Sequence, residues 1–237
     1  MAKLTPEQFA DAVSQALGPR LVSLLLYGSA ASGTQVSGRS DVNTLLICDA
    51  TDEGLFAALD PALAPWVRAG HPAPLILAER EWRESADAFA IEYEEMRHAH
   101  RVLAGRDPWV GISVRREDLR RQLESELMGK LVRLRQAYAA FRGDPRRLTQ
   151  VIAASTAGVL TMLRTALRLA GRTAPAAPED LVRQAGAVIG FGPESLDDVV
   201  AHVRGRRRLA LAARDPRAAA YLAAVVRTAE FVNRLSL

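Results

Sequence analysis

Short apolar runs alternate with helical periodicity over the first hundred residues, and purely helical periodicity follows. Phe9, Ala12, Val13 and Leu17 recur at helical spacing behind Thr5 and Pro6, which suit a cap and a first turn, and Gly18-Pro19 closes that helix. Leu21–Tyr27 is an apolar run of buried-strand length, ended by Gly28-Ser29. A second strand is expected over Asp41–Cys48. A helix then starts at Thr51 or Asp52 and runs towards Gly70, with Pro61 and Pro65 as points of disturbance. Pro74–Ala78 reads as a third strand and Glu79–Ala86 as a short helix. Phe89–Glu94 alternates like a strand that puts Glu92 and Glu94 on one face, although its Ala, Glu and Met content also suits a helix. Arg101–Gly105 is the last strand.

Beyond Ser113 the pattern predicts helices over Arg115–Arg142, Arg146–Ala170, Glu179–Ile189, Pro193–Leu209 and Asp215–Leu235. Leu119, Leu123, Leu127, Leu131 and Leu134 form an apolar stripe along the first of these. The expected architecture is α+β: a lobe with a mixed β-sheet and flanking helices over 1–112, then a helical bundle over 113–237. Charge changes at the same place. Through Ile112 there are 9 Lys and Arg against 15 Asp and Glu, a net of −6; the remainder has 22 against 12, a net of +10. An acidic lobe suits cations and a basic one suits phosphates, although two ordinary solvated surfaces give the same numbers.

Composition narrows the function classes. No uninterrupted apolar stretch reaches membrane-span length, and Lys3 and Glu7 stand where an export signal needs an apolar core, so a cytoplasmic location without membrane association is expected. Cys48 is the only cysteine, which excludes an intramolecular disulfide framework.

The informative constellation is Tyr27-Gly28-Ser29, a loop of about ten residues, and Ser40-Asp41-Val42-Asn43 leading into Thr44-Leu45-Leu46-Ile47. Residues two apart on a strand share a face, so Asp41 and Asn43 can approach one ligand. Gly28 has no Cβ to keep a phosphate from the backbone, and Ser29 carries a hydroxyl donor. This arrangement over residues 20–105 resembles the nucleotidyltransferase superfamily, which includes aminoglycoside adenylyltransferases and small bacterial nucleotidyltransferases. The resemblance implies Mg²⁺-dependent transfer of a nucleoside monophosphate from a nucleoside triphosphate to an acceptor that the sequence does not name. It implies phosphate contacts from Gly28, Ser29 and Ser40, metal contacts from Asp41 and the Asn43 position, and a third carboxylate, Glu92 or Glu94, with Glu92 preferred as ligand or base.

Asn43 departs from the pattern, because the family has a second acid there. An amide offers one neutral oxygen and cannot bridge two ions as a carboxylate does, so metal binding is weakened or the catalytic step is lost. The alternative is therefore an inactive protein of the same fold that senses nucleotide or binds a protein partner, as in toxin–antitoxin pairs. His98 and His100 flank Ala99 without a third metal-binding companion and read as surface or packing residues; His71 and His202 also lack companions. Arg115, Arg116, Arg120, Arg121, Lys130 and Arg133 are interrupted by Glu117, Asp118, Glu124 and Glu126. That pattern favours a salt-bridged helix over a nucleic-acid surface. Trp66, Trp82 and Trp109 read as packing groups.

Overall fold

The computed structural model describes residues 4–31, 33 and 42–236, apart from the side chains of Ser29 and Ser195. The chain divides into two compact units, Met1–Val114 and Arg115–Leu237. The first is an α+β unit and the second is helical.

In the first unit, helix α1 (Pro6–Leu17) opens with a capping box. The Gln8 amide donates to Thr5 Oγ1 at 3.2 Å, and the Thr5 amide donates to Gln8 Oε1 at 2.9 Å. Strand β1 (Leu21–Tyr27) follows, then a single 3₁₀ turn over Gly28–Ala30. Next come β2 (Asn43–Cys48), α2 (Glu53–Arg68), β3 (Leu75–Ala78), α3 (Glu79–Glu84), α4 (Ala90–His98) and β4 (His100–Gly105). The sheet order is β3-β2-β1-β4. β1 runs antiparallel to both β2 and β4, whereas β2 runs parallel to β3.

Both sheet faces are covered, so the central strands read as continuous apolar runs rather than alternating ones. On one face Leu24, Leu46 and Cys48 pack with Phe9, Val13, Leu55, Leu59 and Trp66 from α1 and α2. The Trp66 ring stacks between Phe9 at 4.4 Å and His71 at 3.9 Å, and its Nε1 donates to the Pro72 carbonyl. On the other face Leu25, Leu45 and Ile47 meet Trp82, Tyr93 and Met96. Trp82 stacks on Tyr93 at 4.2 Å, and the Tyr93 hydroxyl donates to the Trp82 carbonyl at 2.6 Å. Such aromatic pairs contribute about 0.5–1.5 kcal/mol beyond area burial. Pro61 and Pro65 lie inside α2 without ending it. Leu55, Leu59, Ala62 and Trp66 keep their helical spacing and bury one face, which offsets the lost backbone donors.

Phe89–Glu94 is not a strand. Ala90–His98 forms α4, burying Ala90, Ile91, Tyr93 and Met96, of which Tyr93 and Met96 join the second core. Helical burial of these four side chains prevails over the short alternation. Two residues on a helix are separated by about 200° of rotation, so Glu92 and Glu94 do not share a face. The third carboxylate of the sequence expectation thus sits on a helix.

The second unit contains α5 (Arg116–Phe141), α6 (Pro145–Leu169), α7 (Pro178–Ile189), α8 (Glu194–Val203) and α9 (Pro216–Arg234). The leucine stripe of α5 is buried. By length and composition α6 is the one helix among the described residues that could cross a membrane; half of its apolar window is buried in the protein. α8 is shorter than the expected Pro193–Leu209, because Gly205 adopts φ +72°. The arginines beyond it are held by acids: Arg204 and Arg206 by Glu179, Arg207 by Asp198. At the start of α5, Arg115 and Arg121 both bind Asp118, and Arg120 binds Glu124.

Two measurements check these packing relations. Gly105 has φ +79°, and a Cβ there would collide with the Val22 carbonyl and lie 2.9 Å from Ser23 Cα. Gly105→Ala should cost about 2–4 kcal/mol in urea unfolding, from left-handed strain and overpacking together. In the helical unit, Asp215 accepts from the Ala212 and Arg217 amides and binds the Arg217 guanidinium, which holds its carboxyl far below the usual range. A depressed folded pKa stabilises above the unfolded value of about 3.9, and that contribution is lost as pH falls from there. Asp215→Asn should therefore be less stable than wild type at pH 6, and the two stabilities should converge on acidification towards pH 2.

Candidate functional site

The ends of three neighbouring strands bring Tyr27, Asn43 and His100 side by side. Tyr27 closes β1 and pairs with Asn43 at the start of β2 and with His100 at the start of β4. Directly opposed residues of an antiparallel pair project from the same face. Asn43, Tyr27 and His100 therefore form a row on the face that also carries Trp82, Tyr93 and Met96.

Gly28 turns the chain out of this row with φ +76°, and its amide donates to the Ala99 carbonyl at 2.9 Å. A Cβ at Gly28 would lie 3.7 Å from Asn43 Nδ2, ordinary contact distance. Backbone conformation, not crowding, is what calls for glycine here. Since the Gly28 amide already has an acceptor, backbone donation from this turn to a ligand falls to residues further along. Ser29 lies in the same turn, but its side chain is outside the described part. Asp41 and Ser40 also lie outside the described residues.

Glu92 is exposed on α4. Its negative charge nonetheless reaches the strand ends: burial, and then the Glu92 carboxylate, raise the pKa of the Tyr27 phenol. Glu94 is directed elsewhere, with Oε2 3.6 Å from His98 Nδ1. Of the two acids, only Glu92 is thus coupled to the row.

The two expected packing histidines part company at the α4–β4 junction. His98 Nδ1 bonds the Glu94 carbonyl on α4. His100 Nδ1 lies 2.9 Å from the Met96 carbonyl and 3.2 Å from that of Arg97. Carbonyl oxygens only accept, so Nδ1 carries the proton in this arrangement. The His100 ring is half-buried, tilted against Trp109 at 5.3 Å. His100 and Tyr27 are the row members that sequence reading left without a role. Starting the last strand at His100 rather than Arg101 is the signal that would have aligned them.

Among the described residues no group of three His, Cys, Asp or Glu side chains is arranged to hold a metal. The Asn43 amide and Glu92 carboxylate offer oxygen donors of the kind Mg²⁺ accepts, but these two alone make no closed coordination set. At the opposite end of β2, Arg20 binds Asp49 at 3.1 Å and Asp52 at 2.9 Å. Cys48 is fully buried and its thiol is pushed up to about 11 by burial, which removes it as a nucleophile near neutrality. No protein-family model matches the chain, and no curated protein matches it significantly.

The coupling between α4 and the strand row can be measured without any ligand. In Glu92→Gln, the Tyr27 phenol should titrate at lower pH than in wild type yet stay above the ordinary value, because burial is the larger cause. Tyrosine-selective NMR titration reads this directly; an unchanged midpoint would show that Glu92 does not act at the row.

Proposed function

We propose that the first unit is a nucleotidyltransferase-like domain that binds a nucleoside triphosphate with Mg²⁺ and transfers a nucleotidyl group to an acceptor hydroxyl. The observation that carries this reading is the meeting of the Gly28 turn with the head of β2, at 3.7 Å from a Gly28 Cβ position to Asn43 Nδ2. A Gly-Ser turn and an acid-bearing strand start are remote from one another unless the sheet pairs them, and here Tyr27 and Asn43 are direct cross-strand partners.

In this reading the triphosphate lies over the Gly28–Ala30 turn, with Ser29 and Ser40 as hydroxyl donors. Asp41 and Glu92 supply negative charge towards the metal, and Asn43 a single neutral oxygen. Bound Mg²⁺ would neutralise charge developing on the departing pyrophosphate. Gly28 keeps the turn in a conformation other residues adopt only with strain. An aminoglycoside, a protein hydroxyl or an RNA end all present the required acceptor oxygen.

Asn43 favours a second reading, a catalytically silent descendant that binds nucleotide or a protein partner. One carboxylate fewer beside a divalent cation weakens both metal binding and charge neutralisation. A nucleic-acid role for the basic helical unit finds less support, because Arg115, Arg120, Arg121, Arg204, Arg206 and Arg207 are engaged by acids of their own unit.

Calorimetry with Mg²⁺ and each common triphosphate, followed by a pyrophosphate assay, separates the readings. Binding with pyrophosphate release supports the enzyme, and binding alone supports the silent form. No binding to wild type rejects both nucleotide readings. Asn43→Asp should tighten Mg²⁺-dependent triphosphate binding about tenfold, or about 1.4 kcal/mol. Unchanged affinity would mean that position 43 does not face the metal.

A further inference from the structure

We infer that His100 is the proton acceptor for the attacking hydroxyl in this site. The inference rests on the nucleotidyltransferase reading and adds to it a residue that reading does not use.

Three observations converge on His100. First, it heads β4 directly opposite Tyr27 and so projects from the same face as Tyr27 and Asn43. Opposed Cα atoms in antiparallel pairs are about 4.5–5.5 Å apart, so Asn43 and His100 stand about 10 Å apart across the row. That interval can take a phosphoryl group at the Asn43 side and an acceptor oxygen at the His100 side. Second, the Met96 carbonyl 2.9 Å away holds the proton on Nδ1. Neutral imidazole in that tautomer presents an Nε2 lone pair, and Nε2 has no hydrogen-bond partner among the described residues. Third, the half-buried ring is tilted against Trp109, which limits its rotation.

The surroundings suit this role. Tyr27 faces His100 across the sheet, and Glu92 acts on Tyr27. Arg97 lies with its guanidinium over Trp109 at 5.3 Å and donates to the Ile112 carbonyl. Arg101, next along β4, is held by Glu7 at 2.7 Å. Glu92 itself is exposed on a helix, outside the strand row, which fits a supply of charge better than contact with the acceptor.

The step balances as follows. The acceptor oxygen forms a bond to the α-phosphorus of the triphosphate while the bond from that phosphorus to the bridging oxygen breaks. The electron pair leaves with pyrophosphate. The hydroxyl proton passes to His100 Nε2, and the resulting imidazolium keeps its Nδ1–H on the Met96 carbonyl until Nε2 returns its proton to water.

His100→Asn tests the proposal, because the asparagine amide can still donate to the Met96 carbonyl but offers no base. Pyrophosphate release is measured on the full chain with Mg²⁺ and triphosphate. The acceptor panel is an aminoglycoside, a serine- and tyrosine-containing peptide and a short RNA. The variant should lose about 100-fold or more in kcat while its KM for triphosphate changes less than about threefold. In parallel, Mg²⁺ with triphosphate should slow carbethoxylation of wild-type His100 by diethyl pyrocarbonate at least about tenfold, a readout that needs no turnover and no variant. Wild-type turnover with an unimpaired variant overturns the role of His100 and leaves the nucleotidyltransferase reading standing. Triphosphate binding without pyrophosphate release from wild type also overturns the role of His100, and it leaves only the catalytically silent reading standing. Failure of wild type to bind any triphosphate overturns both.

Discussion

The pairing of β1 with a strand on each side is the constraint on which the site depends. Tyr27 can face Asn43 and His100 together only because β1 is central and antiparallel to both neighbours. A one-residue slip of β2 would send Asn43 to the other face and move Leu45 and Ile47 out of their core. Since both faces of these strands are buried, such a slip exchanges two sets of fitted side chains at once. The register of a few polar residues at the strand ends is thereby held by apolar residues in the strand interiors.

Glycines and aromatic groups complete this frame at its two ends. Gly28 lets the chain leave β1 with a positive φ while its amide ties the turn to Ala99, just before His100. Gly105 lets β4 close against Val22 and Ser23 where a side chain would collide. Beneath the row, Trp82, Tyr93 and Trp109 pack edge to face or stacked, and their packing fixes α4 against the sheet. The position of Glu92 relative to Tyr27 follows from that packing of α4. The row is thus a by-product of core geometry carried to the strand ends.

Much of the fold was legible because the local signals agreed with the tertiary result. Thr5-Pro6 and Asp52 announce helix starts, Leu21–Tyr27 is too short and too apolar for anything but a buried strand, and the leucine stripe on α5 marks its core face. The α+β class followed from these. Residues 89–98 were not legible, since Ala-Ile-Glu-Tyr-Glu satisfies both periods over five residues and only burial of Ala90, Ile91, Tyr93 and Met96 chooses between them. Gly205 ended α8 sooner than the apolar pattern suggested, and Pro61 and Pro65 were tolerated inside α2 for reasons of packing. Within the site, Gly28 and Asn43 stood out as a motif, whereas His100 did not. Its place opposite Tyr27 is set by a cross-strand register that no local pattern encodes.

The central claim, that the turn after β1 and the head of β2 together receive a metal-bound triphosphate, is tested most directly by paramagnetic NMR. Mn²⁺ replaces Mg²⁺ in the presence of a nucleoside triphosphate, and backbone amide resonances are followed across the first unit. Selective broadening at Gly28, Asn43 and His100, dependent on the triphosphate, is the expected result. Broadening confined to Asp49 and Asp52 at the opposite end of β2, or none at all, contradicts it.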